Sequence, residues 1–119
     1  MREDELDRLA FNLVNTVITE YGSNLINGDI SKVAKYVSAA RLILKEEGAD
    51  DNCLVSEQNL TVMALKITLA VMRSCGVLGN CGLALTHEDL AASPYKRKCV
   101  KAAYQVLRKA FEDKDMLDE

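Results

Sequence analysis

Apolar side chains recur along this chain at steps of three and four, the spacing of amphipathic helices. From Asp4 to Tyr21, the residues Leu6, Leu9, Ala10, Leu13, Val14, Val17, Ile18 and Tyr21 fall on one helix face. Gly22 follows as a stop, because glycine tolerates the left-handed conformation that ends a helix. Asn12, Asn15, Thr16 and Thr19 lie mostly on the other face. They are weak helix formers, so packing must support this segment. After a link from Ser23 to Gly28, Asp29 is suited to cap a second helix over about Ile30 to Glu47. Its stripe is Ile30, Val33, Ala34, Val37, Ala40 and Leu44, widened by Tyr36 and Ile43, and Gly48 supplies the stop.

A polar stretch over residues 48–55 ends in Leu54 and Val55, and Ser56 then caps a third helix from Glu57 to Cys75. Leu60, Met63, Ala64, Ile67, Ala70 and Val71 face one way, while Val62, Leu65, Leu69 and Met72 cover most of the remainder. A helix apolar on nearly all sides is central in its domain or is covered by a second subunit. Val62, Leu65, Leu69 and Met72 are therefore the candidate partner or dimer face. The glycine-rich apolar run from Gly76 to Leu85 resists assignment. Thr86 is placed to cap a short helix, His87 to Ala92, and Ser93-Pro94 marks the start of the last helix. That helix runs from Pro94 to Asp113 with Tyr95, Cys99, Ala102, Ala103, Val106, Ala110 and Phe111 inward. The fold class expected is all-α. It is a compact bundle of four long helices plus one short helix before the last, in one domain over residues 1–119. The acidic end, 114–119, is expected to fray.

Composition narrows this without changing it. Of 119 residues, 49% are apolar and 28% charged, enough to bury one core and too apolar for wholesale disorder. The most apolar stretch, Leu60 to Leu78, contains Lys66 and Arg73. Each would cost roughly 2.5–3.5 kcal/mol at a bilayer centre, so a core helix is expected and no membrane partner. The opening Met-Arg-Glu-Asp-Glu is unlike a secretory signal. A cytoplasmic, reducing setting follows as the expectation, with Cys53, Cys75, Cys81 and Cys99 as free thiols.

Charge adds an asymmetry that the net value of −3 conceals. Residues 94–111 carry Lys96, Arg97, Lys98, Lys101, Arg108 and Lys109 and no acid. The N-terminus (Glu3, Asp4, Glu5, Asp7) and the C-terminus (Glu112, Asp113, Asp115, Asp118, Glu119) are acidic. Arg97, Lys101 and Arg108, with Tyr104 between them, share one helix face flanked by Lys98 and Lys109. Such a stripe can dock on phosphates or on an acidic partner. The segment from Leu85 to Ala91 has the texture of the first helix of a helix-turn-helix, with Tyr95 to Lys101 opening the second. Against this, the turn is short and lacks a glycine, and the chain as a whole is acidic. The plainer expectation is a solvated face paired with acids of the first helix or the tail. The four tyrosines, Tyr21, Tyr36, Tyr95 and Tyr104, are expected at the core edge with the hydroxyl in water.

Sites for chemistry are sparse. Cys75, Cys81, His87 and Cys99 include a zinc-type residue set, but structural zinc sites usually begin with a pair two to four residues apart, and there is none. His87 stands without a nucleophile or orienting partner and fits a helix cap region. The Gly76–Gly82 run lacks the strand and the lysine that a phosphate loop needs. No metal, no cofactor and no enzymatic activity are expected. The function expected is that of a small interaction or regulatory module. It would act through its apolar helix face, as a homodimer or on another protein. The alternative is a small nucleic-acid-binding regulator using residues 85–109.

Overall fold

The computed structural model describes residues 1–21, 31–49, 54–74 and 94–118. Among these residues four helices carry the fold: α1 (Glu3–Tyr21), α2 (Ser31–Glu46), α3 (Glu57–Ser74) and α4 (Pro94–Asp113). The architecture is an all-α bundle, with α1 packed on α2, α2 on α3, α3 on α4 and α4 back on α1. The N-termini of α1 and α3 meet the C-termini of α2 and α4 at one end. There the Met1 nitrogen donates to the Ala49 carbonyl at 3.1 Å, and the Val55 N–H donates to the Met116 carbonyl at 2.7 Å. Ring neighbours therefore run antiparallel, in up-down-up-down order. The expected short helix, His87 to Ala92, and the stop at Gly22 lie outside the described residues.

Local chemistry sets the helix ends. The Ser56 Oγ accepts from the Asn59 N–H at 3.2 Å and donates to the Asn59 Oδ1, capping α3. The acids Glu3, Asp4 and Glu5 sit in the first turn of α1, where the helix dipole favours negative charge. At the end of α2, Gly48 takes a φ of 89°, its N–H donates to Lys45, and the Ala49 N–H reaches back to Leu44 at 2.9 Å. This is the double hydrogen bond of a Schellman cap. The end of α4 repeats it with Asp115 at φ 53°, where the Met116 N–H donates to Phe111 at 2.8 Å.

That second cap overturns the expected frayed end. The chain after α4 turns back and buries Met116 to 8% exposure. Leu117 and Asp118 (β2) then pair in parallel with Val55 and Ser56 (β1). The backbone groups of the tail find partners in the segment that leads into α3, and this holds the tail in place.

The core corrects the predicted rotation of two helices. On α2 the buried row is Tyr36, Ala40 and Leu44, so Tyr36 is in the core and not at its edge, and Ala34 is exposed. The helix is flanked by both α1 and α3, and its apolar stripe is centred between them. On α4 the row Cys99, Ala103, Leu107 and Phe111 is buried at steps of four, with Leu107 among the inward residues. Ala102, Val106 and Ala110 are half-buried beside it. Thr68 of α3 is fully buried, and its hydroxyl has no hydrogen-bond partner among the described residues.

Candidate functional site

Among the described residues, two outward helix faces and a cleft between α1 and α4 could meet a partner. On α3 one of the four residues of the predicted partner face, Met72, is closed off in the core. Met72 is fully buried, and Val62, Leu65 and Leu69 are half-buried. The expectation that Met72 lies on an open face is therefore corrected. It belongs to the core cluster together with Val71.

The outward face of α4 is open. The four-residue spacing of its buried row leaves Lys98, Lys101, Gln105 and Lys109 on the opposite side, all exposed, with exposed Arg97 beside them. Lys98 to Lys109 span eleven residues, roughly 16 Å of helix. Among the described residues, Arg97, Lys98, Lys101 and Lys109 form no ion pair. Arg108 differs. It is half-buried, and its Nη1 lies 2.9 Å from the Glu57 Oε1 of α3. Four of the five predicted basic residues thus project together into solvent, and the fifth ties α4 to α3.

Against the plainer sequence reading, Glu3, Glu5 and Asp7 of the first helix pair elsewhere than on this face, while Glu20 lies near Cys99 at its Lys98 end. Glu3 pairs with Arg41 and with Lys45 of α2, and the Arg41 Nε lies 3.1 Å from the Asp7 Oδ1. Glu5 pairs with Lys114 and with Arg2. The hydrogen bond from Lys114, aided by Arg2, holds the Glu5 carboxyl down to about 2. A group that acidic carries no proton to donate near neutral pH and acts here as a structural tie.

Between the first half of α1 and the end of α4 runs a surface cleft of about 300 Å³, lined among others by Arg8, Leu9, Asn12, Ala110, Asp113 and Lys114. Sequence reading missed Arg8. It is exposed, and among the described residues it forms no ion pair. Its position on a separate helix hides its proximity to α4 from any one-dimensional pattern. The carboxylates that line the cleft are Asp4, Glu5 and Asp113, and Glu5 is held by Arg2 and Lys114. Cys99 lies in the core, its Sγ 3.8 Å from the Val17 carbonyl, and burial pushes its thiol up to about 11. It is a free, unreactive thiol at neutral pH. The other members of the zinc-type set, Cys75, Cys81 and His87, lie outside the described residues, as does the helix-turn-helix-like segment over 85–93.

The fold and these surfaces define a four-helix bundle with an open basic face. Among the described residues, no helix is long and apolar enough to cross a membrane. No family model, no curated protein and no solved structure matches the chain.

Proposed function

We propose that this chain is a non-enzymatic binding module whose working surface is the outer face of α4 and whose partner is a nucleic acid. The observation that carries the reading is the row of four exposed cations, Arg97, Lys98, Lys101 and Lys109, that are unpaired among the described residues. A row of unpaired cations on one straight helix is the footprint of a polyanion, and release of counterions from phosphates supplies its affinity. The role is that of a small regulator in a reducing, cytoplasmic setting.

The competing reading places the working surface on α3 and makes the chain a homodimer. It draws less support. A partner there would meet only the half-buried Val62, Leu65 and Leu69, since Met72 is spent on the chain's own core.

Fluorescence anisotropy with a short labelled duplex tests the proposal. Four phosphate contacts predict an affinity that falls roughly a hundredfold between about 50 and about 200 mM salt. Replacing Arg97, Lys98, Lys101 and Lys109 together by Ala should abolish retention and leave helix content unchanged. Binding that survives this replacement, or no binding at low salt, would refute it.

A further inference from the structure

We infer that the cleft between α1 and α4 is a binding site for a small zwitterion, an α-amino acid, whose carboxylate is taken by Arg8 and whose ammonium is taken by Asp113. Neither residue belongs to the cation row of α4, so the inference is independent of the reading given above.

The charges that line this cleft of about 300 Å³ are Arg2, Arg8 and Lys114 against Asp4, Glu5 and Asp113, and four of the six are already matched. The Arg2 Nε lies 3.1 Å from the Glu5 Oε1 and 3.6 Å from the Asp4 Oδ1, and Lys114 closes on the second oxygen of Glu5. Arg8 and Asp113 are left over, one of each sign, on different helices and both exposed. Among the described residues neither forms an ion pair, so the two also stay apart from each other. The cleft therefore offers a ligand one free positive and one free negative group. A ligand with several negative charges would meet Asp4, Glu5 and Asp113 beside Arg8, and like charges repel.

The chemistry of the lining matches such a ligand group by group. The planar guanidinium of Arg8 can meet a carboxylate with two parallel N–H donors. The carboxylate of Asp113 only accepts, and an ammonium only donates. Asn12 lines the same cleft one helix turn beyond Arg8, and its amide can donate to the one group and accept from the other. Beneath them Leu9, 5% exposed, and the half-buried Ala110 supply an apolar floor for a side chain. Small-molecule sites combine apolar lining with a few convergent polar groups in roughly 300–1,000 Å³, and this cleft is at the small end of that range.

Both charged groups stand on backbone that is already fixed. Arg8 lies in the second turn of α1, between the core residues Leu6 and Leu9. Asp113 is the last residue of α4. Its neighbour Lys114 is tied to Glu5, and the cap that follows closes with the Met116 N–H donating to Phe111 at 2.8 Å. A ligand then has two side chains to order and no backbone, which keeps the entropic cost of binding small.

The test is an amide NMR titration of the full chain with free leucine, run in parallel with N-acetyl-leucine, which lacks the ammonium, and leucinamide, which lacks the carboxylate. Leucine at millimolar concentration should shift the amide signals of Leu9, Asn12, Ala110 and Asp113 and leave those of Lys98 and Lys101 in place. Each analogue should bind roughly three- to fivefold more weakly, the scale of one exposed ion pair. Arg8→Ala should weaken leucine and N-acetyl-leucine by that factor and leave leucinamide unchanged. Asp113→Asn should weaken leucine and leucinamide and leave N-acetyl-leucine unchanged, since a ligand without the partner group has no pair to lose. Both residues are exposed, so neither change should alter helix content. Equal affinities for the three compounds, or variants that weaken all three alike, would overturn the charge assignment. No shift at the four cleft residues, or shifts confined to the outer face of α4, would overturn the site itself.

Discussion

The outward faces of α3 and α4 look like equals in the sequence and become opposites in the fold. On α3 a second apolar stripe is half-buried at Val62, Leu65 and Leu69, and its last member, Met72, is drawn into the chain's own interior. On α4 the basic stripe stays in solvent along its whole described length, apart from Arg108. The difference comes from what burial costs. An apolar side chain gains free energy against any dry neighbour, so its periodicity says that it will be covered and not by what. A lysine loses several kcal/mol when buried unpaired, so its periodicity says that it will face water. Charged stripes are thus the more trustworthy pointers to a working surface.

The sharpest way to break the comparison is Met72→Ala. If Met72 belongs to the core, this change costs about 2–5 kcal/mol of unfolding free energy in urea titration. If the residue lay on an open partner face, stability would barely change and only self-association would respond. Thr68→Val, one turn before Met72, should act in the opposite direction by up to about 1 kcal/mol, because it removes a buried hydroxyl with no partner among the described residues. A loss of stability there would mean that the hydroxyl is bonded in solution. On α4, replacing Lys98, Lys101 and Lys109 by Ala one at a time should shift stability by no more than about 0.5 kcal/mol each. A larger loss at any of them would show that the face is part of the bundle's packing and not free for a partner.

The smallest effect concerns the foot of α4, where Lys114 meets Glu5. The folded-state carboxyl is held near 2 against an ordinary 4.5. Its contribution is therefore fully present above about pH 4.5 and is lost as the pH falls toward 2. Glu5→Gln should flatten the stability profile in that window and leave its slope above it unchanged. An unaltered acid-unfolding curve would show that the tie to Lys114 is not made in solution.

Much of the backbone was legible in advance. The ranges expected for the four long helices agree with those observed to within about one residue wherever the ends are described, and Gly48 and Ser56 act as the stop and cap that their residue types imply. The candidate site was half legible. The cations of α4 were visible as a stripe, but Arg8 was not, because nothing local links the second turn of α1 to the last turns of α4. The cap at Asp115 was equally hidden. An aspartate at positive φ carries a conformational cost that glycine does not. It is adopted here because the turn that results buries Met116 and brings its carbonyl to Val55.

What this sequence determined by itself is the set of helices, their ends and the side of α4 that must stay wet. These follow from backbone hydrogen bonding, capping and charge solvation within a few residues. Only the tertiary structure decided how far each helix turns about its own axis, which put Tyr36 inside and Ala34 outside. It alone decided that Glu3 and Glu5 of α1 bind α2 and Lys114, leaving the cations of α4 unpaired among the described residues. An apolar stripe wide enough to serve several neighbours is compatible with several rotations, and a long charged side chain takes whichever opposite charge the packing brings within reach.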